Sequence, residues 1–101
     1  MSKRVVILGS GISGVGAAIL AKKKGFDVFV SDSKVIAEKN KSVFLENCIS
    51  WEEGQHTFES IFNADEVIKS PGISDKIDLI QRLKINNIPV ISEIEFAFRY
   101  T

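Results

Sequence analysis

VVILGSGISGVGAA, residues 5–18, joins two different patterns across a glycine-rich turn. Four aliphatic residues run unbroken into Gly9, and Gly11, Gly14 and Gly16 follow before the chain turns apolar again. Alternation is needed only where one face of a strand meets water, so a continuous aliphatic run predicts a strand buried on both faces. From Ser13 the pattern is helical, with Val15, Ala18 and Ile19 on one face. Lys22, Lys23 and Lys24 suit the negative end of a helix dipole, and Gly25 suits the cap beyond it. Residues 27–31 (DVFVS) predict a second strand closing on Asp32. Strand, turn, helix and strand in this order form a βαβ unit, whose strands are parallel with a right-handed crossover.

The remainder continues the alternation. Residues 35–47 predict a helix carrying Ile36, Val43, Phe44 and Leu45, and residues 48–51 a short third strand. A polar turn over 52–57 and a helical turn over 58–62 lead to a fourth strand at 66–69, ending in Ser70-Pro71-Gly72. The next helix is expected over 75–86 with Ile77, Leu79, Ile80 and Leu83 inward, stopping before Pro89, which cannot continue it. Residues 89–91 predict a fifth strand. Ser92 and Glu95 then form an S-x-x-E capping box opening a last helix with Ile94, Ala97 and Phe98 apolar. The expected fold class is α/β: a Rossmann-like open parallel sheet of about five strands with flanking helices in three α/β/α layers, one domain over residues 1–101.

Composition narrows the function. With 45% hydrophobic residues the 101-residue chain can build a core, and 13 basic against 13 acidic residues give no footprint for nucleic acid or an anionic membrane. No apolar run approaches the ~18 residues of a membrane span, and the first strand begins too early for a signal peptide, so a cytoplasmic protein is expected. The single cysteine, Cys48, has no disulfide partner within the chain and is expected as a buried thiol.

In an open α/β sheet, ligands lie beyond the carboxyl ends of the strands near the switch in strand order. Three loops occupy that edge: 9–14, 31–34 and 70–73. Gly9, Gly11 and Gly14 spell G-x-G-x-x-G between a strand and a helix, where free backbone N–H groups and the helix dipole favour a phosphate. Asp32, at the end of the second strand, can accept from a ribose or a base N–H; Ser33 can contact a ligand or cap a helix, and Lys34 can meet a phosphate or solvent. Pro71 and Gly72 fit a type II turn, which leaves Ser70 unexplained.

The ordered segments VVILGSGISG, VSD, IKSPGIS and IPVISEIEFAFR together resemble the N-terminal, UDP-binding domain of the MurD family of ligases in bacterial peptidoglycan synthesis. The resemblance spans nearly the whole chain, SPGI and ISEIE being its most specific pieces. It implies that Gly11, Ile12, Ser13 and Gly14 serve a diphosphate, with Asp32 on uracil or ribose, Ser33 and Lys34 beside it, and Ser70, Pro71 and Gly72 closing over the nucleotide. Ser13 stands where many relatives have threonine and Lys34 where some have arginine, which loses the bidentate fork. The implied partner is UDP-N-acetylmuramoyl-L-alanine. No G-x-x-x-x-G-K-[ST] loop occurs here, so the resemblance implies no cofactor in this domain, ATP and Mg²⁺ bound in the full-length enzyme, a central ATPase domain and a C-terminal domain following this one, and no catalysis by the domain alone.

An NAD-binding domain of a dehydrogenase, a stand-alone nucleotide sensor and a sibling ligase of the same pathway remain alternatives. His56, the sole histidine, is expected in a solvent-exposed loop, Trp51 against the sheet edge, and Glu93 toward the substrate cleft or another domain. Phe96, Phe98 and Tyr100 are many aromatics for one short helix and are expected to include a surface for the central domain.

Overall fold

Strands and helices alternate throughout residues 3–100, which this computed structural model describes; Met1, Ser2 and Thr101 of the expected 1–101 unit lie outside the described residues. The order is β1 (Arg4–Leu8), α1 (Ile12–Lys23), β2 (Asp27–Asp32), α2 (Glu38–Glu46), β3 (Ser50–Glu53), α3 (Phe58–Ile61), β4 (Glu66–Lys69), α4 (Asp78–Ile85), β5 (Val90–Ser92) and α5 (Glu93–Arg99). All pairings are parallel, and the strands lie in the order β3-β2-β1-β4-β5. The chain therefore builds outward from β1 in one direction, then returns to β1's other side with β4. That reversal sets the switch point between β1 and β4.

The aliphatic run at the start of the chain becomes the central strand. Val5, Val6, Ile7 and Leu8 are fully buried, and alternate residues serve opposite faces. Val5 and Ile7 join Ala17, Ala18, Phe44 and Phe96 in one core, while Val6 and Leu8 join Ile61, Leu79, Ile80 and Leu83 in the other. Helices α1, α2 and α5 thus cover one face, α3 and α4 the other, giving three layers. The buried face of α1 is Gly14, Ala17, Ala18 and Ala21, small residues that let its backbone sit close to the sheet.

Several local expectations are corrected. Helix α2 starts only at Glu38, and α4 only at Asp78, so Ile77 becomes the extended residue before α4 and is 39% exposed rather than inward. In α5 the face is reversed: Phe96 and Glu93 are buried, while Ile94 and Phe98 are 61% and 72% exposed. Ser92 accepts from the Glu95 N–H, one half of the expected capping box, and that cap fixes the helix phase. Phe96 meets Phe26 in a tilted contact and Tyr100 edge-on, so only part of the aromatic group reaches the surface. Cys48 is exposed, not buried. It occupies the left-handed position that closes α2 (φ 57), where the Ile49 N–H bonds the Phe44 carbonyl, and this turn directs its side chain outward. Trp51 packs on Phe44 at the sheet edge.

Candidate functional site

Three loops meet beyond the carboxyl edge, and backbone hydrogen bonds fix their bases. The Gly9 N–H donates to the Ser31 carbonyl at 2.9 Å, and the Ser70 N–H to the Leu8 carbonyl at 3.1 Å. Gly9 has φ +99, and a Cβ there would come within 3.0 Å of the Ser70 Cβ, so the first and third loops touch at a point that admits no side chain. Gly14 is required for a different reason: its added Cβ would lie 2.3 Å from the Gly9 carbonyl oxygen. The start of α1 is thereby packed directly on the turn that precedes it. The first-turn N–H groups of α1 lack partners within the helix and open toward the carboxyl edge.

The loops enclose a cleft of about 580 Å³ lined by Gly9, Ser10, Gly11, Asp32, Ser33, Lys34, His56, Ser70, Gly72, Ile73, Ser74 and Ile77. Of the ten sequence-derived site residues, Gly11, Asp32, Ser33, Lys34, Ser70 and Gly72 line this cleft. Ser13 and Pro71 line a second cleft of about 290 Å³ between α1 and α5. Ile12, 92% exposed, opens α1, and Gly14 is buried beneath the turn. Ser33 does not cap α2, whose N-cap is Ala37. The turn at Ser70 has the Ile73 N–H on the Ser70 carbonyl at 3.0 Å, yet Gly72 is not among the left-handed glycines. A type II turn is therefore excluded there.

Asp32 performs a task that spacing alone did not reveal. One carboxylate oxygen accepts from both the N–H (2.9 Å) and hydroxyl of Ser10, and the other from the Lys34 N–H at 2.9 Å. It ties the glycine turn to the loop after β2. Burial opposes its ionisation, but the hydrogen bonds from Ser10 and Lys34 outweigh that and hold its pKa below the usual carboxylate range, with His56 assisting. Ser10 thus belongs to the site although it was not singled out in the sequence; its position inside G-x-G was the available signal.

His56 is half-buried rather than solvent-exposed, because its Nδ1 lies 2.6 Å from Ser31 Oγ. Ser31 also donates to Glu52 (2.7 Å), which accepts from the Thr57 N–H and hydroxyl. Burial lowers the His56 pKa against the opposing pull of Glu52 and Asp32, so the ring is neutral near pH ~7. This Ser31–Glu52–His56–Thr57 cluster was invisible in sequence because it joins β2 to β3 and the loop after it.

Strand order, the glycine turn at the switch point and the helix behind it define a Rossmann-like α/β domain. Residues 4–79 match the model of the MurD N-terminal domain, and the chain belongs to that family. Among curated relatives it is 62% identical over 99 residues to the UDP-N-acetylmuramoylalanine–D-glutamate ligase of Bacteroides thetaiotaomicron, a match covering 98% of this chain and 22% of that protein. The chain thus spans about a fifth of the length of such relatives. Among solved structures, a murein peptide ligase from Psychrobacter arcticus superposes with TM-score 0.87 at 20% identity over 99% of this chain and 21% of the other, a likeness of fold. A pseudomurein peptide ligase type C from Methanothermus fervidus does so with TM-score 0.81 at 28% identity, over 99% and 21%. Among the described residues no helix is long and apolar enough to cross a membrane.

Proposed function

We propose that this chain is the substrate-binding domain of an ATP-dependent ligase that adds D-glutamate to UDP-N-acetylmuramoyl-L-alanine, and that it holds the UDP portion of that substrate. The observation carrying this reading is the convergence of the glycine turn, Asp32–Lys34, Ser70 and Gly72 on one cleft at the switch point. The diphosphate lies at the start of α1, where the N–H groups of Ile12, Ser13 and Gly14 and the Ser13 hydroxyl donate to it. Gly11 lets the phosphates approach the backbone. The uridine extends toward Asp32, Ser33 and Lys34, and Ser70, Pro71 and Gly72 cover it from the other loop. Asp32 keeps lone pairs for the ligand while its bonds to Ser10 and Lys34 hold the loops in register.

In this reading the domain supplies binding and orientation only. ATP, Mg²⁺ and the acyl-transfer chemistry belong to the central domain and the rest of the longer enzyme, and the isolated chain does not ligate. A titration followed by heteronuclear NMR tests it, comparing UDP, UDP-N-acetylmuramoyl-L-alanine and NAD. Shifts at residues 11–14, 32–34 and 70–72 with the uridine ligands alone are expected. Shifts there with NAD alone would make the chain a dinucleotide domain instead.

A further inference from the structure

Glu93, the first residue of α5, is 5% exposed. Among the described residues neither of its carboxyl oxygens has a hydrogen-bond partner, and both are shielded from solvent. It borders the smaller cleft with Ser13, Ala17, Leu20, Pro71 and Phe96, whose walls are mostly apolar. Its Oε1 lies against the first turn of α1, 3.4 Å from where a Cβ on Gly14 would stand. Ser13 is the side chain whose hydroxyl interacts with it, from outside hydrogen-bonding geometry.

A carboxyl in such a place needs either a cation or a proton. Elements packed on α5 supply no cation to it. On β4, Glu66 is paired with Arg99 and Lys3, and Lys69 with Asp75. β5 carries no charged residue, Lys22 and Lys23 of α1 sit in that helix's last turn, and Glu95 on α5 itself is exposed and acidic. Burial accordingly raises the Glu93 pKa, and Ser13 offsets only part of the rise.

We propose that Glu93 is a positioning residue for the diphosphate loop: in its neutral form it donates to Ser13 Oγ, which turns the Ser13 hydrogen outward to the phosphate oxygen. The ionised form reverses that polarity. It accepts the Ser13 hydrogen, presents the hydroxyl's lone pairs to the ligand and places a negative charge beside the phosphate. Anion binding and ionisation of Glu93 therefore oppose each other, and linkage requires the bound ligand to favour the proton as the proton favours the ligand. This inference rests on the UDP-binding reading above.

The test uses UDP-N-acetylglucosamine, a diphosphate diester that lacks the secondary phosphate ionisation near pH ~6. Its Kd and the protons taken up on binding are measured calorimetrically between about pH 5 and 8, a window that spans the range above ordinary glutamate values. For the unaltered chain, affinity falls by up to about tenfold per pH unit above the Glu93 pKa, and binding takes up protons there. Glu93→Gln keeps a neutral donor for Ser13, so it retains the low-pH affinity as pH rises. His56 lines the nucleotide cleft and titrates in both proteins, so the difference between the two profiles reports Glu93 alone. Ser13→Ala shrinks that difference to what the charge alone contributes, and Ser13→Thr preserves it in full. Superimposable profiles for the unaltered chain and Glu93→Gln, with binding intact, would overturn the relay and leave the UDP reading standing. Absence of binding at every pH in both would overturn the UDP reading and the relay with it.

Discussion

Gly14 and Gly16 lie two residues apart in one helix, and replacing each by alanine should change stability in opposite directions. A Cβ on Gly14 would sit 2.3 Å from the Gly9 carbonyl oxygen and 3.1 Å from its carbon, whereas one on Gly16 meets nothing within 4 Å. Real Cβ atoms essentially never come within 3.0 Å of such atoms, so Gly14→Ala must part helix and turn by roughly 0.7 Å. The neighbours in that contact are backbone, which cannot rotate away. A gap of that size along the Ala17, Ala18 and Ala21 face forfeits about a quarter to a half of each dispersion contact. We expect a loss of about 3 kcal/mol, at the upper end of overpacking costs, offset by about 0.5–1 kcal/mol of helix propensity. The net loss of about 2 kcal/mol lowers Tm by roughly 8–16 °C in a domain this small. Gly16→Ala keeps only the propensity gain and should stabilise by about 0.5–1 kcal/mol. Urea unfolding monitored by circular dichroism gives both values. If Gly14→Ala came within about 0.5 kcal/mol of Gly16→Ala, the close packing of α1 on the glycine turn would be refuted.

Glu66 is buried and takes a two-pronged ion pair from Arg99, at 2.9 Å on each oxygen. Arg99 first, with Lys3 assisting against burial, holds its pKa below the usual range; this stability is full above the unfolded value and disappears as pH falls through the lower folded one. Arg99→Ala should cost on the order of 1–2 kcal/mol at neutral pH, discounted for the half-exposed guanidinium, and unfolding titrations should show the difference shrinking below pH ~4. Asp32→Asn weakens the carboxylate bonds to Ser10 and Lys34, and amide exchange at those two positions should rise by about tenfold for each ~1.4 kcal/mol lost. Cys48 should react stoichiometrically with a thiol reagent in the folded chain, and slow reaction limited by unfolding would contradict its exposure. Cys48→Gly should stabilise by up to about 1 kcal/mol, since glycine adopts the left-handed cap without strain; denaturant midpoints decide it.

The sequence by itself determined the sheet's centre, the parallel βαβ opening and the three loops at its carboxyl edge. Those features are local: a buried strand needs a continuous apolar run, a helix start needs its glycines and caps, and both are written in adjacent residues. The same locality explains why β4 at Glu66–Lys69 and the cap at Ser92 were legible. Only the tertiary structure decided which side chains each loop would spend on another loop. Asp32 binds Ser10 across 22 residues, and Ser31 meets His56 across 25, pairings that no periodicity encodes. It also decided the facing of α5, where the cap at Ser92 fixes the helix phase and turns Glu93 and Phe96 inward while Ile94 and Phe98 face out. Cys48 follows the same rule: a thiol's preference for the interior is weaker than the backbone's demand for a left-handed residue at the end of α2. Composition sets what a residue prefers, but the closing of helices and loops on one another fixes where its side chain is allowed to go.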